Sequence, residues 1–148
     1  MVLRGTVAAL TRYTVKGDPG EKPEGVLLLA GIGMEGDFHA SGGERQISLL
    51  TLEERRWMDG HPEPGLCFGR YRENILIEGI PPAAFMPGVK LKTGEAVLEI
   101  SETGKHCFEE CPLFRRGQDC FLAGRNLFAR VVCGGYVRIG DSVTEEEI

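Results

Sequence analysis

Three of the chain's five cysteines lie in the stretch GKHCFEECPLFRRGQDC, residues 104–120. These three are Cys107, Cys111 and Cys120. Lys105 and His106 directly precede the first of them. Positive charge beside a cysteine favours the thiolate, which is the form that attacks electrophiles and binds metals. The spacing therefore predicts a reactive thiol at Cys107, with the other two cysteines as resolving or accessory thiols.

The same cysteines suit a different kind of site. A structural zinc ion needs about four sulfur or imidazole ligands, usually presented in close pairs. The three clustered cysteines and His106 supply enough ligand atoms, although at an unusual spacing. A disulfide framework is disfavoured because five is an odd number and because a reducing cytosol keeps thiols reduced. The remaining cysteines, Cys67 and Cys133, are predicted to be packing residues.

A second polar stretch is YRENILIEGI, residues 71–80. Arg72 and Asn74 stand two positions apart, so their side chains point to the same side if the backbone is extended. An arginine fork beside an amide suits an oxyanion ligand. An exposed polar entry to a strand explains the pair equally well.

A third stretch is GIGMEGDFHASGGERQISLLTLEE, residues 31–54. Its glycines indicate a loop, in which Asp37 and His39 precede Arg45. No Gly-Lys-Ser/Thr follows, so the loop is not a Walker motif. We interpret it as a polar turn at the rim of a barrel, with Arg45 as a further candidate for anion binding.

Composition and charge limit the classes of protein. The net charge of −5 argues against a nucleic-acid partner. No apolar run approaches the ~20 residues that cross a bilayer, and the N-terminus is too short and polar for a signal peptide. We therefore expect a cytoplasmic protein without a membrane partner. From Lys105 to Arg130, however, five basic residues face three acidic ones, which favours a local anion site.

Short apolar segments that alternate with polar residues, separated by glycine turns, predict strands. The predicted strands are Thr6–Leu10, Val26–Ala30, Gln46–Leu50, Asn74–Ile77, Val89–Lys92, Ala96–Ser101, Leu127–Cys133 and Tyr136–Ile139. Tight turns are expected at Thr93-Gly94 and Gly134-Gly135. Thr51 and Glu54 form a capping box that predicts a helix ending near Gly60. Several short strands at this spacing suggest a closed barrel or a sandwich. The fold class we expect is mostly β: a closed, largely antiparallel β-barrel with a few short helices, in a single domain spanning residues 1–148.

The three polar stretches, in this order, resemble the MOSC family, named for the C-terminal domain of molybdenum cofactor sulfurase. The likeness runs through GDFHASGGERQISLLTLEE, RENILIEGI, PGVKLKTGEAVLEISETGKHC and GGYVRIGDSV, from about Gly31 to about Val143. Their order around a strand-rich core, with one cysteine after the GEAVLEIS strand, is the specific feature. The short chain is similar to stand-alone bacterial members of the family.

This resemblance implies a MOSC-like barrel that binds the pterin-based molybdenum cofactor, molybdopterin. In the family, the cysteine at the position of Cys107 carries sulfur as a persulfide or binds molybdenum. Arg72 and Asn74 match residues that face the pterin phosphate, and Arg45 matches a position near the same pocket. Lys105 and His106 complete the predicted cofactor-binding set. Family members more often have proline at the position of His106.

The resemblance implies a function in handling sulfur or molybdenum through Cys107. A sulfur carrier, a sulfur-transfer module and a molybdenum-dependent reductase unit all fit it. The expected partners are the pterin cofactor and either a cysteine desulfurase or a molybdoenzyme client. Pyridoxal phosphate is not expected. The alternative is a non-catalytic β-barrel binding module with structural zinc at Cys107, Cys111 and Cys120.

Overall fold

The structure, a computed structural model, describes residues 4–17, 19–60, 72–103 and 127–146. The predictions on Cys67, Lys105, His106 and the three clustered cysteines fall outside these ranges. In chain order the strands are β1 (Arg4–Leu10), β2 (Gly25–Leu29), β3 (Gly33–Met34), β4 (Ile47–Thr51), β5 (Ile75–Glu78), β6 (Lys90–Thr93), β7 (Ala96–Thr103), β8 (Leu127–Cys133), β9 (Gly135–Arg138) and β10 (Ser142–Glu145). The helix α1 covers Leu52–Gly60, and a short 3₁₀ helix covers Pro82–Ala84.

Seven of these strands close into a barrel in the order β1-β10-β6-β7-β8-β4-β5. Neighbours are antiparallel, except that β4 and β5 run parallel. Alternate residues of each strand face inward, and those of the core include Leu49, Ile75 and Leu98, each no more than 1% exposed. The predicted mostly β barrel is confirmed.

A second sheet in the order β3-β2-β9 lies beside the barrel. Because β8 pairs with β7 and β4 while β9 pairs with β2, the predicted hairpin at Gly134-Gly135 is wrong. The chain instead passes there from the barrel into the second sheet. A Cβ at Gly134 would lie 2.7 Å from the carbonyl oxygen of Leu28, so this crossing needs a residue without a side chain.

Other sequence predictions differ from the structure in detail. The strands β3 and β10 were not predicted: β3 has two residues and β10 is largely polar. The turn between β6 and β7 consists of Gly94-Glu95, one residue later than predicted, because Thr93 still pairs with Ala96. Cys133, predicted to be a packing residue, is an exposed free cysteine; it pairs with Val97 of β7 after a register shift that interrupts the in–out alternation at the end of β8.

The capping box at the start of α1 is confirmed. The Glu54 amide donates to Thr51 Oγ1 at 3.1 Å, and the Thr51 amide donates to Glu54 Oε1 at 3.1 Å. The helix packs on the outer face of the barrel, where Met58 joins a small apolar cluster with Leu50 of β4. No helix in the described part of the chain is long and apolar enough to span a membrane.

Replacing Thr51 with alanine should lower the free energy of unfolding by about 1–2 kcal/mol, because a helix cap is lost. The Thr51 hydroxyl is buried and also donates to Glu54 Oε1 at 2.9 Å, which places the effect toward the upper end. Equilibrium denaturation in urea measures it. Thr51→Ser keeps the hydroxyl and is the matched control, and equal losses in the two variants would contradict a capping role.

Candidate functional site

Arg72 and Asn74 lie in the segment that leads into β5, beside the start of β4. The backbone amide of Asn74 donates to the Ser48 carbonyl at 2.8 Å, and the Ser48 hydroxyl donates to the Arg72 carbonyl at 2.7 Å. Both bonds join the segment to β4. The backbone that carries Arg72 is therefore fixed to the barrel.

The Asn74 side chain is buried and bonded within the protein. Its Oδ1 accepts from the Ser48 amide at 3.0 Å, and its Nδ2 donates to the Thr11 carbonyl at 3.2 Å and to Asp37 Oδ1 at 3.1 Å. These bonds use both donors of the amide. Asn74 thus connects β4, the residues after β1 and the loop before β4.

Asp37 is the centre of this network, and its side chain is fully buried. Oδ1 also accepts from the Tyr13 amide at 2.7 Å, while Oδ2 accepts from the His39 amide at 3.0 Å and lies 3.1 Å from His39 Nδ1. Burial acts to raise the pKa of Asp37, but the hydrogen bonds from His39 and Tyr13 outweigh it and lower that pKa. The carboxyl is therefore an anion at neutral pH.

The His39 ring lies between two aromatic rings. Its centroid is 3.8 Å from that of Phe38 and 6.5 Å from that of Tyr13, which it meets edge-on at 88°. The side chain retains 38% exposure although its neighbour Asp37 has none. His39 thus presents a ring of fixed orientation at the surface.

Tyr13 connects His39 to Arg72. The Arg72 guanidinium carbon lies 5.6 Å from the centroid of the Tyr13 ring, a cation–π distance. The Tyr13 hydroxyl donates to the Glu73 carbonyl at 3.1 Å. Burial and the charge of Glu73 raise the pKa of Tyr13 to about 12, so the phenol stays protonated at neutral pH. We call Tyr13, Asp37, His39, Arg72 and Asn74 the Tyr13 cluster.

Glu73, between Arg72 and Asn74 in the chain, pairs with Arg55 of α1. Both of its carboxylate oxygens accept from Arg55 Nη2 at 2.7 Å. Glu73 is only 8% exposed, so the pair places a largely buried carboxylate against a fixed cation. This contact orients the segment on both sides of Glu73, including Arg72.

Arg45 lies elsewhere on the barrel surface. Its Nε donates to Glu102 Oε2 at 2.7 Å, and its guanidinium carbon is 4.6 Å from the centroid of the Phe128 ring. Phe128 pairs with Ser48 across β8 and β4, and Ser48 in turn bonds Asn74. The structure thus brings Arg72 and Asn74 together, and it places Arg45 against Glu102 near the end of β7.

The remaining predicted site residues lie outside the described ranges: Lys105, His106, Cys107, Cys111 and Cys120. Their roles stay predictions. Among the residues that the structure does describe, no group of three potential metal ligands comes together.

Sequence reasoning did not find the parts played by Tyr13, Asp37 and His39. From the sequence alone, the GDFH motif is interpreted as a polar turn. Its signal was an acidic residue two positions before a histidine in a glycine-rich loop, which also fits an ordinary turn. Tyr13 carries no local signal, because its role depends on contacts with residues far along the chain.

Comparison with known proteins identifies the family. The MOSC domain profile matches residues 35–144, from the loop that carries Asp37 to β10. The chain belongs to the MOSC domain family. Members of this family are associated with binding of the molybdenum cofactor or with sulfurase-like function. No curated protein matches the chain.

Solved structures share the fold of this MOSC domain. YuaD from Bacillus subtilis superimposes with a TM-score of 0.69 at 19% identity, covering 99% of each chain. YiiM from Escherichia coli gives a TM-score of 0.64 at 19% identity, over 98% of this chain and 70% of the other. YiiM from Geobacillus stearothermophilus gives 0.65 at 14% identity, over 97% and 75%. At these identities the likeness establishes the architecture only.

Proposed function

We propose that this MOSC domain is a cytoplasmic protein that binds molybdopterin through its phosphate and handles sulfur or molybdenum through Cys107. Arg72 is the principal phosphate ligand in this proposal. Lys105, His106 and Arg45 supply further positive charge, and Cys111 and Cys120 act as accessory thiols. The protein would serve as a carrier, a sulfur-transfer module or a reductase unit, with a cysteine desulfurase or a molybdoenzyme as its partner.

The observation that carries the proposal is the fixed position of Arg72. Its backbone is held by Ser48, and its guanidinium lies against the face of Tyr13. An arginine fork that is already oriented loses less conformational entropy when it binds a phosphate in a bidentate way. The residues present therefore fit the phosphate of a pterin cofactor.

Asn74 supports this proposal by an indirect route. The side-chain amide of Asn74 is hydrogen-bonded to Ser48, Thr11 and Asp37. We therefore assign Asn74 the role of holding the Arg72 segment in place. A direct contact between Asn74 and the cofactor stays a prediction from the sequence. The two roles can be separated by experiment, because only the role of holding the Arg72 segment requires that substitution of Asn74 lower the stability of the protein.

Arg45 and Cys107 are both related to the end of β7, the first by contact and the second by its position in the sequence. Arg45 bonds Glu102, next to the end of that strand, and Cys107 follows four positions after its last residue, Thr103. When bound, molybdopterin supplies a dithiolene and, in its metal-loaded form, a molybdenum centre. A soft thiolate such as that of Cys107 is suited to either molybdenum or sulfane sulfur.

Replacing Arg72 with alanine should weaken binding of molybdopterin by about 1.5–3 kcal/mol, the range for a charge-assisted hydrogen bond. Arg72→Lys should recover only part of the loss, because an ammonium group cannot form the planar fork. Fluorescence titration of the apoprotein with molybdopterin measures the affinity.

The matched control for this prediction is Arg12→Ala. Arg12 is also an arginine near the Tyr13 cluster, but its guanidinium pairs with Glu21 at 3.0 Å. Its removal should leave the affinity nearly unchanged. Equal affinities for the unmodified protein and Arg72→Ala would remove Arg72 from the site.

A further inference from the structure

The Asp37–His39 pair is the feature of the Tyr13 cluster that the proposed function leaves unused. His39 Nδ1 lies 3.1 Å from a carboxylate whose side chain is fully buried, while the His39 side chain is 38% exposed. The Nδ1 edge of the ring therefore faces inward. The edge that carries Nε2 lies on the side of the ring opposite this buried contact.

The hydrogen bond to Asp37 determines which nitrogen carries a proton. A carboxylate is only an acceptor, so Nδ1 must be the donor in both charge states of the ring. In the neutral ring, Nε2 then presents a lone pair, which disfavours an anion. In the protonated ring, Nε2 becomes a cationic N–H donor, which favours one.

The charged and titratable groups around His39 come from three segments. Asp37 lies on the same loop, and the low pKa of that carboxyl keeps it an acceptor at neutral pH. Arg12 and Tyr13 follow β1. Arg12 lies close to the loop that carries His39, because a Cβ added at Gly36 would lie 3.0 Å from Arg12 Cδ. The segment before β5 contributes Arg72 and Glu73, and Glu73 is held by Arg55 of α1.

His39 and Arg72 share one neighbour. The His39 ring and the Arg72 guanidinium lie 6.5 Å and 5.6 Å from the same Tyr13 centroid. Tyr13 stays neutral, so it separates the two groups without adding charge. An anion held by Arg72 and the His39 imidazole therefore share Tyr13 as a neighbour.

We propose that His39 is a second, pH-gated ligand of the phosphate group that Arg72 binds, and that Asp37 is its positioning residue. This inference rests on the proposed function, because it takes Arg72 as the first ligand. The contact is a hydrogen bond from the protonated Nε2–H to a phosphate oxygen, and it forms and breaks no covalent bond. The ligand class is a phosphate or a phosphate monoester.

The test uses inorganic phosphate as the probe and ¹⁵N-labelled protein, which holds three histidines. The ring signals of His39 are assigned by their loss in His39→Phe, a variant that keeps an aromatic ring beside Phe38 and Tyr13. The free protein at pH 8.5 should show the tautomer with its proton on Nδ1. At pH 6, phosphate should move the Nε2 signal toward that of imidazolium.

Phosphate affinity gives the second readout. At pH 6 it should be about tenfold weaker in His39→Phe than in the unmodified protein, because a charge-assisted hydrogen bond is lost. At pH 8.5 the two affinities should be nearly equal. Phosphate itself changes charge between these pH values. The quantity compared is therefore the ratio of the phosphate affinities of the unmodified protein and His39→Phe at each pH. Arg12→Gln is the charge-matched control, and its ratio should not depend on pH.

Asp37→Asn tests the positioning role. If this variant retains a native amide spectrum, His39 should gain the tautomer with its proton on Nε2 and the pH dependence of the affinity ratio should fall. If it does not fold, the tautomer and the affinity ratio of the unmodified protein and His39→Phe still decide the inference. A pair that only stabilises the turn would give the same affinity ratio at both pH values.

Two outcomes overturn the inference while leaving the proposed function intact. They are an affinity ratio that does not depend on pH, and a proton on Nε2 in the free neutral ring, each with phosphate binding still lost in Arg72→Ala. Phosphate binding that survives in Arg72→Ala, or no phosphate binding by the unmodified protein at either pH, overturns both proposals.

Discussion

Cys107→Ser should abolish sulfur transfer and molybdenum binding while leaving the fold intact. Serine preserves the size of the side chain but cannot form a persulfide or a soft metal–thiolate bond. The measurements are persulfide formation with a cysteine desulfurase as donor, metal content by mass spectrometry, and far-ultraviolet circular dichroism. Cys111→Ser and Cys120→Ser should cause partial losses, because the sequence predicts accessory roles for these thiols.

The reactivity of the thiols provides an independent check on Cys107. Limiting iodoacetamide near neutral pH should label Cys107 first among the five cysteines, because Lys105 and His106 favour its thiolate. Cys133 is a suitable internal control, since it is exposed at the end of β8. If exposure alone determined reactivity, Cys133 would be labelled at least as fast as Cys107.

Three results would contradict this assignment. Preferential labelling of Cys67 or Cys133 would place the reactive sulfur elsewhere, and full activity in Cys107→Ser would remove its role. If Cys107, Cys111 and Cys120 all resist labelling until a chelator is added, the structural zinc site is correct instead.

Asn74→Ala should lower the free energy of unfolding by about 3 kcal/mol, because each buried polar group left without a partner costs about 1–3 kcal/mol. The Ser48 amide and the Thr11 carbonyl lose a bond to the Asn74 side chain, and Asp37 loses one of its donors. Chemical denaturation followed by circular dichroism measures the change.

The comparison variant is Arg72→Ala, which removes the neighbouring half-buried side chain. It should cost less than about 1 kcal/mol of stability, as is usual away from buried polar networks, while losing cofactor affinity. An Asn74→Ala protein as stable as the unmodified one would show that the network is not stabilising. Loss of cofactor affinity in that stable variant would then favour a direct contact between Asn74 and the cofactor.

Local patterns in the sequence determined the class of the fold. Alternation such as Ala96, Leu98 and Ile100 places apolar residues on one face, and this depends only on the period of an extended chain. The capping box at Thr51 and Glu54 is equally local, since its two members are three residues apart. Such features do not depend on how the rest of the chain folds.

Features that depend on distant pairing were not determined in this way. Two glycines between short strands suggest a hairpin, but Gly134 is needed because β2 approaches closely from more than 100 residues earlier in the chain. The exposure of Cys133 goes with a register shift in its pairing to β7, which is also a feature of distant pairing. No short segment contains this information.

For the candidate site too, some features are local in the sequence and others depend on contacts between distant segments. The residue types and order of the REN and GDFH motifs, and of the cysteine after β7, were sufficient to indicate the MOSC family. The anion-binding role of Arg72 stays a prediction. Only the tertiary structure decided that Asn74 is buried against Ser48, Thr11 and Asp37, and that Arg72 and His39 meet at Tyr13. The physical reason is that each of these contacts joins segments separated along the chain, so closure of the barrel creates them.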